Sequence, residues 1–137
     1  MAVTFTYDDG SDGLGLTGSI RKVIATWTGD SSGNAAGSSR KIVGSIVKAI
    51  TDPSDGPTAN YDIVLTDGYG VNILGNCIDD LANRHTSTTE DVYFGVSNLA
   101  ATDPAGDIAP IVCDAITVTI SNSGVSKSGV LVLYVRV

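Results

Sequence analysis

Apolar and polar residues alternate one by one along short runs of this chain. Residues 115–121 show the pattern most clearly, because Ile116, Val118 and Ile120 lie on one side and hydroxyl side chains separate them. A period of two is typical of a β-strand, in which successive side chains point to opposite faces. The composition agrees, since Val and Ile together number 27 against 8 Leu, 1 Glu and no Gln. The sequence therefore predicts an all-β fold and excludes an all-α one.

Turn-forming residues divide the chain into seven or eight such runs. Gly and Asp cluster between the runs, and Asp67-Gly68 is a strong hairpin dipeptide. The predicted strands cover residues 3–7, 20–28, 41–51, 61–66, 71–74, 91–96, 115–121 and 129–137. With 137 residues, no repeat and no linker, the chain is expected to form one domain over residues 1–137. The predicted architecture is a single-domain antiparallel β-sandwich or small barrel with long loops and at most one short helix.

Three connecting segments carry their own predictions. Residues 29–39 are small and polar, so they are predicted to form the tip of a hairpin between the strands on either side. Residues 76–84 form the one candidate helix, of two turns at most. Residues 99–110, rich in Gly, Pro and Asp, are expected to be a loop.

The net charge of −7 limits the partners that we expect. Fifteen acids face eight bases, and fourteen of the acids are Asp, which bonds its own backbone in turns. A nucleic-acid binder needs a basic footprint, so no nucleic-acid partner is expected. No apolar run reaches the roughly 18 residues of a membrane helix, and the N-terminus shows no signal peptide. We therefore expect synthesis in the cytoplasm and no membrane contact.

Two motifs suggest ligand sites, and neither has the required context. Residues 13–18 match GxGxxG, but a β-branched strand follows where a dinucleotide site needs a helix. Asp8, Asp9 and Asp12 suggest calcium, but an EF-hand loop would need oxygen ligands at alternate positions and a final Glu. A solvated turn is the favoured interpretation of this Asp cluster, and an irregular cation site stays open as the alternative.

No arrangement of residues predicts catalysis. His85 is the only histidine, and no GxSxG elbow selects a serine to pair with it. Cys77 and Cys113 lie 36 residues apart, form no CxxC and cannot complete a zinc quartet. We expect two free thiols, no enzyme activity, no cofactor and no metal.

The closing strand, residues 129–137, is apolar on both faces. Such a strand must be covered on both sides, either by a loop within residues 76–111 or by a neighbouring subunit, and both alternatives remain open. The sequence also offers a first strand that could add to a neighbour's sheet and a polar loop suited to contacts. The predicted interface residues are Val3, Phe5, Leu131, Leu133, Val135, Arg84 and His85.

Several segments resemble a family of small structural proteins from the virions of tailed bacteriophages and prophages. Residues 57–74 are similar to the family core "PT-x-x-YD-[IV]-TLTD-x-x-G-x-DVL", with Asn72 where Asp is usual. Further similarity lies in residues 19–28, 41–48, 81–84 and 115–137, the last matching "LTLTVSNAG-x-x-K-x-G-x-V-x-LY". These motifs belong to strands and turns.

The resemblance implies a virion structural protein made in the host cytoplasm. The first hypothesis is a capsid decoration (cement) protein that binds the major capsid protein or neighbouring virion proteins as a homo-oligomer. The second is a head–tail connector, neck or tail component that forms a ring. A third, from another class, is a ligand-binding β-sandwich module such as a carbohydrate binder.

Overall fold

The computed structural model describes residues 3–8, 20–57, 60–74, 81–82, 84–94 and 109–137. These residues form seven antiparallel strands and, within those ranges, no helix, which confirms the all-β prediction. The sheet order is β1-β2-β7-β3-β6-β4, and β5 also pairs with β3. The strands are β1 (Val3–Asp8), β2 (Ile20–Thr28), β3 (Ala35–Pro53), β4 (Asp62–Thr66), β5 (Glu90–Tyr93), β6 (Ile111–Ser121) and β7 (Ser128–Arg136).

Strand β3 belongs to both halves of the sheet. Up to Ser45 it pairs with β6, and from Ser45 onward it pairs with β7, with β5 on its other edge. Gly44 lies at this change of partner with a φ of 148°, a conformation that L side chains rarely adopt. The change divides the sheet into a larger layer, β1-β2-β7-β3-β5, and a smaller layer, β3-β6-β4.

The core lies between these two layers. Trp27 of β2 and Tyr61, which precedes β4, are both fully buried, and their ring centroids are 5.4 Å apart. Alternate residues of each strand point into this space, as the period of two predicts. The other fully buried large side chains are Ile46, Leu65, Leu81, Ile116, Ile120, Leu131, Leu133, Val118, Val135 and Thr51.

Side chains bring β1 against the first part of β3, although no backbone ladder joins these two strands. The Tyr7 hydroxyl accepts a hydrogen bond from the backbone N–H of Arg40 at 2.9 Å. At Gly37 an added Cβ would lie 2.9 Å from the carbonyl oxygen of Val3, so the close approach requires glycine. We call this contact between β1 and β3 the seam.

The predicted hairpin between residues 20–28 and 41–51 is wrong. Strand β2 lies between β1 and β7, and β3 begins at Ala35, within the segment predicted as a hairpin tip. The small residues there serve strand packing, because Ala35 is buried and Gly37 makes room for Val3. Small residues are typical of turns, but in this segment their small size allows two strands to pack closely.

The remaining connections agree with the predictions in part. Residues 71–74 make a single bridge, from Asn72 to Thr66, and the Asn72 amide oxygen accepts a hydrogen bond from the N–H of Leu74 at 3.0 Å. Of the candidate helix, residues 76–80 and 83 lie outside the described residues, and Arg84 forms a β-bridge with Tyr61. Residues 95–96 and 99–108 also lie outside the described residues.

We predict that Gly44→Ala destabilises the fold by about 2–4 kcal/mol, since it adds backbone strain and a clash at the change of partner. The new Cβ would meet the carbonyl oxygen of Arg136 and lie 2.8 Å from Val135 Cγ1. Gly70→Ala is the matched control, because Gly70 has a φ of 77° with nothing within 4 Å. Its cost should stay near 1 kcal/mol. Urea unfolding measures both, and equal losses would contradict the role assigned to Gly44.

We also predict that stability falls between pH 10 and 12 through Tyr61. Burial raises the pKa of this phenol from 10.0 to about 12. Above pH 10 the unfolded chain loses the Tyr61 proton while the folded chain keeps it. The free energy of unfolding therefore falls with rising pH until the folded chain also loses this proton, near pH 12. Urea unfolding of Tyr61→Phe over this range should lack that part of the loss. A variant with the same pH dependence as wild type would contradict the assignment.

Candidate interaction surfaces

The larger layer turns an apolar surface away from the core. Strand registers place Ile24, Val132 and Ile50 side by side across β2, β7 and β3. All three are only half-buried within the chain. We call this surface, with Tyr134 and Tyr93 beside it, the outer face.

Aromatic and cationic side chains alternate along one edge of the outer face. The register runs from Lys22 to Tyr134, Lys48 and Tyr93. The Lys22 and Lys48 ammonium groups lie 5.6 and 5.5 Å from the Tyr134 ring centroid, and Lys48 lies 4.9 Å from that of Tyr93. A hydrogen bond with Tyr93 raises the pKa of Lys48, which favours the charged ammonium form. The row therefore combines apolar contact area with fixed positive charge.

The predicted interface residues of β7 lie on the opposite side of the strand. Leu131 and Leu133 are fully buried and Val135 is 2% exposed. Their burial within a single chain corrects the prediction that they contact a partner. The side of β7 that reaches the surface carries Val132 and Tyr134, because the alternation along the strand turns the other side into the core.

The predicted interface residues of β1 are engaged within the chain. Val3 is buried against Gly37, and Phe5 is half-buried with its ring stacked on that of Tyr7 at 6.5 Å. All six residues of β1 pair with β2. One edge of this strand is therefore occupied by the chain's own sheet, and the other faces the seam.

Arg84 and His85 stabilise the loop that precedes β5. The Arg84 guanidinium donates hydrogen bonds to the Ala82 carbonyl at 3.1 and 3.0 Å and lies 3.9 Å from a Glu90 carboxylate oxygen. His85 is exposed, and its Nδ1 accepts hydrogen bonds from two backbone N–H groups, those of Ser87 and Thr88. These contacts give both residues a structural role.

Other residues that the sequence singled out are only partly described. Cys113 is exposed on β6 and forms no disulfide with a described residue, whereas Cys77 lies outside the described ranges. Asp9 and Asp12 lie outside them too. Among the residues that are described, no three His, Cys, Asp or Glu side chains gather into a metal site. The cation alternative for the Asp cluster therefore stays a prediction.

The sequence comparisons provide no family for these surfaces. No protein-family model matches the chain, and no curated protein sequence matches it. Within the described part of the chain, no helix has the length and apolar character needed to cross a bilayer. The interpretation of the surfaces therefore depends on their geometry and on the resemblance of the sequence motifs.

We predict that His85→Ala changes the free energy of unfolding by less than about 1 kcal/mol, because it removes two long, exposed hydrogen bonds. Arg84→Ala should cost about 1–3 kcal/mol, since it removes charge-assisted hydrogen bonds from a half-buried carbonyl. Urea unfolding of both variants makes the comparison. A larger loss for His85→Ala than for Arg84→Ala would show that the histidine has a role beyond this turn.

Proposed function

We propose that this protein is a structural component of a tailed-bacteriophage virion, specifically a capsid decoration protein that binds the major capsid shell. The observation that carries the proposal is the outer face, a half-buried apolar surface on a paired sheet. The resemblance of residues 57–74 and 115–137 to virion proteins gives the surface its proposed setting.

The composition of the outer face favours a protein partner. Protein interfaces are enriched in aromatic residues around an apolar centre and have a polar rim. Here Ile24, Val132 and Ile50 form the centre, while Tyr134 and Lys48 lie beside them. A contiguous apolar patch of this kind on a sheet face is typical of an interaction site.

The size of the layer is also sufficient for one partner. Five strands spaced about 4.8 Å apart span roughly 19 Å, and the nine residues of β7 extend about 26 Å. The projected area of roughly 500 Å² is comparable with the part of a standard interface contributed by one protein, about 800 Å² of accessible surface. One partner can therefore cover most of the outer face.

The arrangement of the aromatic rings is less suited to a carbohydrate module. A sugar stacks on an open aromatic face, and the two tyrosines of the outer face have Lys48 between them. That lysine also lies 3.7 Å from a carboxylate oxygen of Asp91. The rings are thus engaged by a cation that is itself held in place, which favours the protein partner.

We predict that Val132→Asp lowers incorporation into phage particles by at least tenfold, because a buried unpaired carboxylate costs well over 1.4 kcal/mol at an interface. Val125→Asp is the matched control. Val125 is 62% exposed and belongs to the turn between β6 and β7, away from the outer face. Incorporation is measured by quantitative mass spectrometry of purified particles, with urea unfolding to confirm that both variants fold.

Copy number per particle separates the two virion locations. Hundreds of copies would agree with decoration, whereas about a dozen would indicate a ring at the head–tail junction. Equal incorporation of Val132→Asp and Val125→Asp would contradict the outer face as the binding surface. Absence of the wild-type protein from particles would overturn the virion proposal itself.

A further inference from the structure

A second surface, beside the Lys22 end of the outer face, concentrates positive charge on an acidic protein. A cavity of about 210 Å³ opens beside the seam, between β1, β2, β3 and the end of β7. Four of the eight Lys and Arg residues line it, Arg21, Lys22, Arg40 and Lys41, together with one acid, Asp8. We call this site the cationic cavity.

Described carboxylates leave these four side chains without an ion pair. The ion pairs of the described residues involve Lys48, Arg84 and Lys127. Arg40 instead stacks its guanidinium on the Tyr7 ring, 3.8 Å from the centroid. The Lys22 ammonium lies over the Tyr134 ring of the outer face, which leaves Arg21, Arg40 and Lys41 beside Asp8. Acids outnumber bases fifteen to eight in the chain, so a cavity with this excess of bases is expected to attract an external carboxylate.

The walls of the cationic cavity also offer apolar contact. Val43 and Val137 line it and are 54% and 56% exposed. Arg and Tyr are the residue types that most often dominate binding energy at protein interfaces, and Arg40 and Tyr7 are already fixed against each other here. A protein segment that carries carboxylates fits these walls better than a small inorganic anion does.

The opposite end of the strands carries a matching set of carboxylates. Val135 lines the cavity, and Gly129, six residues earlier on β7, pairs with Pro53 about 20 Å away. Asp52 and Asp55 lie at that distant end, and both are exposed. We call the segment from Asp52 to Asp55 the acidic end.

The nearby Asp30 adds to the negative potential of this end. Hydrogen bonds from the backbone N–H groups of Asn34 and Ser32 lower the pKa of Asp30, so its carboxylate stays charged at neutral and mildly acidic pH. The Asp55 carboxylate has an exposed partner in Lys127 at 4.0 Å, a separation at which an exposed ion pair contributes little. The acidic end is thus available to a second cation.

We propose that the cationic cavity binds the acidic end of a second copy of this chain, so that copies associate head to tail. The contact is heterologous, and repetition closes it into a ring or extends it, depending on the rotation between copies. A nucleic acid is a weaker candidate, because the net charge of −7 repels a polyanion at long range. The cationic cavity adjoins the outer face at Lys22, but this inference does not depend on the proposed capsid contact.

The test is sedimentation velocity of the full chain at low and at high ionic strength. Wild type should associate at low salt and dissociate as salt screens the contact. Arg40→Glu/Lys41→Glu and Asp52→Lys/Asp55→Lys should each be monomeric, because each places like charges at the junction. An equimolar mixture of the two variants should associate again, since the altered ends are then complementary.

Each alternative result overturns the inference in a distinct way. A monomeric wild type would exclude the contact, and a mixture that stays monomeric would exclude the acidic end as the occupant. If the cationic-cavity variant alone lost binding to a fluorescent DNA oligonucleotide while self-association persisted, the ligand would be a nucleic acid.

The result also remains separable from the virion proposal. Val132→Asp alters only the outer face, so it should keep the salt-dependent association of wild type. Failure of that variant in particles with normal association would support both surfaces. Unfolding in urea checks that all charge variants retain the fold.

Discussion

The structure depends on one strand that takes part in both layers. β3 provides a pairing partner for β6 before Ser45 and for β7 and β5 after it. The two layers therefore cannot separate without breaking the ladders of β3, which continues from one layer into the other along one side of the core. A side chain at Gly44 would collide with the backbone of Arg136, so the passage of β3 from one layer to the other requires a residue without a Cβ.

Aspartates account for the turns as the composition suggests. Asp30 accepts hydrogen bonds from the N–H groups two and four residues later, and Asp67 does the same for Tyr69 and Val71. The Asp114 carboxylate accepts a hydrogen bond at 2.9 Å from the N–H of Gly68, the residue after Asp67 in the same turn. Three of the fourteen aspartates thus satisfy backbone donors, which a longer Glu side chain does less well.

The alternation of residue types predicted the strands well because burial on one face requires it. It located Ile20–Thr28 at both ends and identified both faces of β7 as apolar. It could not predict which face a partner would reach, since Leu131 and Val132 are equally apolar and only the second layer distinguishes them. It also assigned residues 35–39 to a turn, because small size fits both a turn and a strand that another strand approaches closely.

The cationic cavity could not be predicted from the sequence for a related reason. Its four bases come as two adjacent pairs, Arg21-Lys22 and Arg40-Lys41, nineteen residues apart in an acidic chain. Neither pair forms a basic run, and β2 and β3 share no ladder that a local pattern could have indicated. The repeated Arg-Lys pair was the available signal, and tertiary structure was needed to bring its two copies together.

The seam gives β1 an unequal attachment to the rest of the protein. Its ladder with β2 runs over six residues, whereas toward β3 it is held by the phenol of Tyr7 and by the close contact at Gly37. Local opening of a protein follows the boundary with the fewest backbone hydrogen bonds, and here that boundary passes through the wall of the cationic cavity. Anything that bridges Tyr7 and Arg40 from outside would therefore also hold the first strand closed, coupling occupancy of the cavity to the integrity of the sheet's edge.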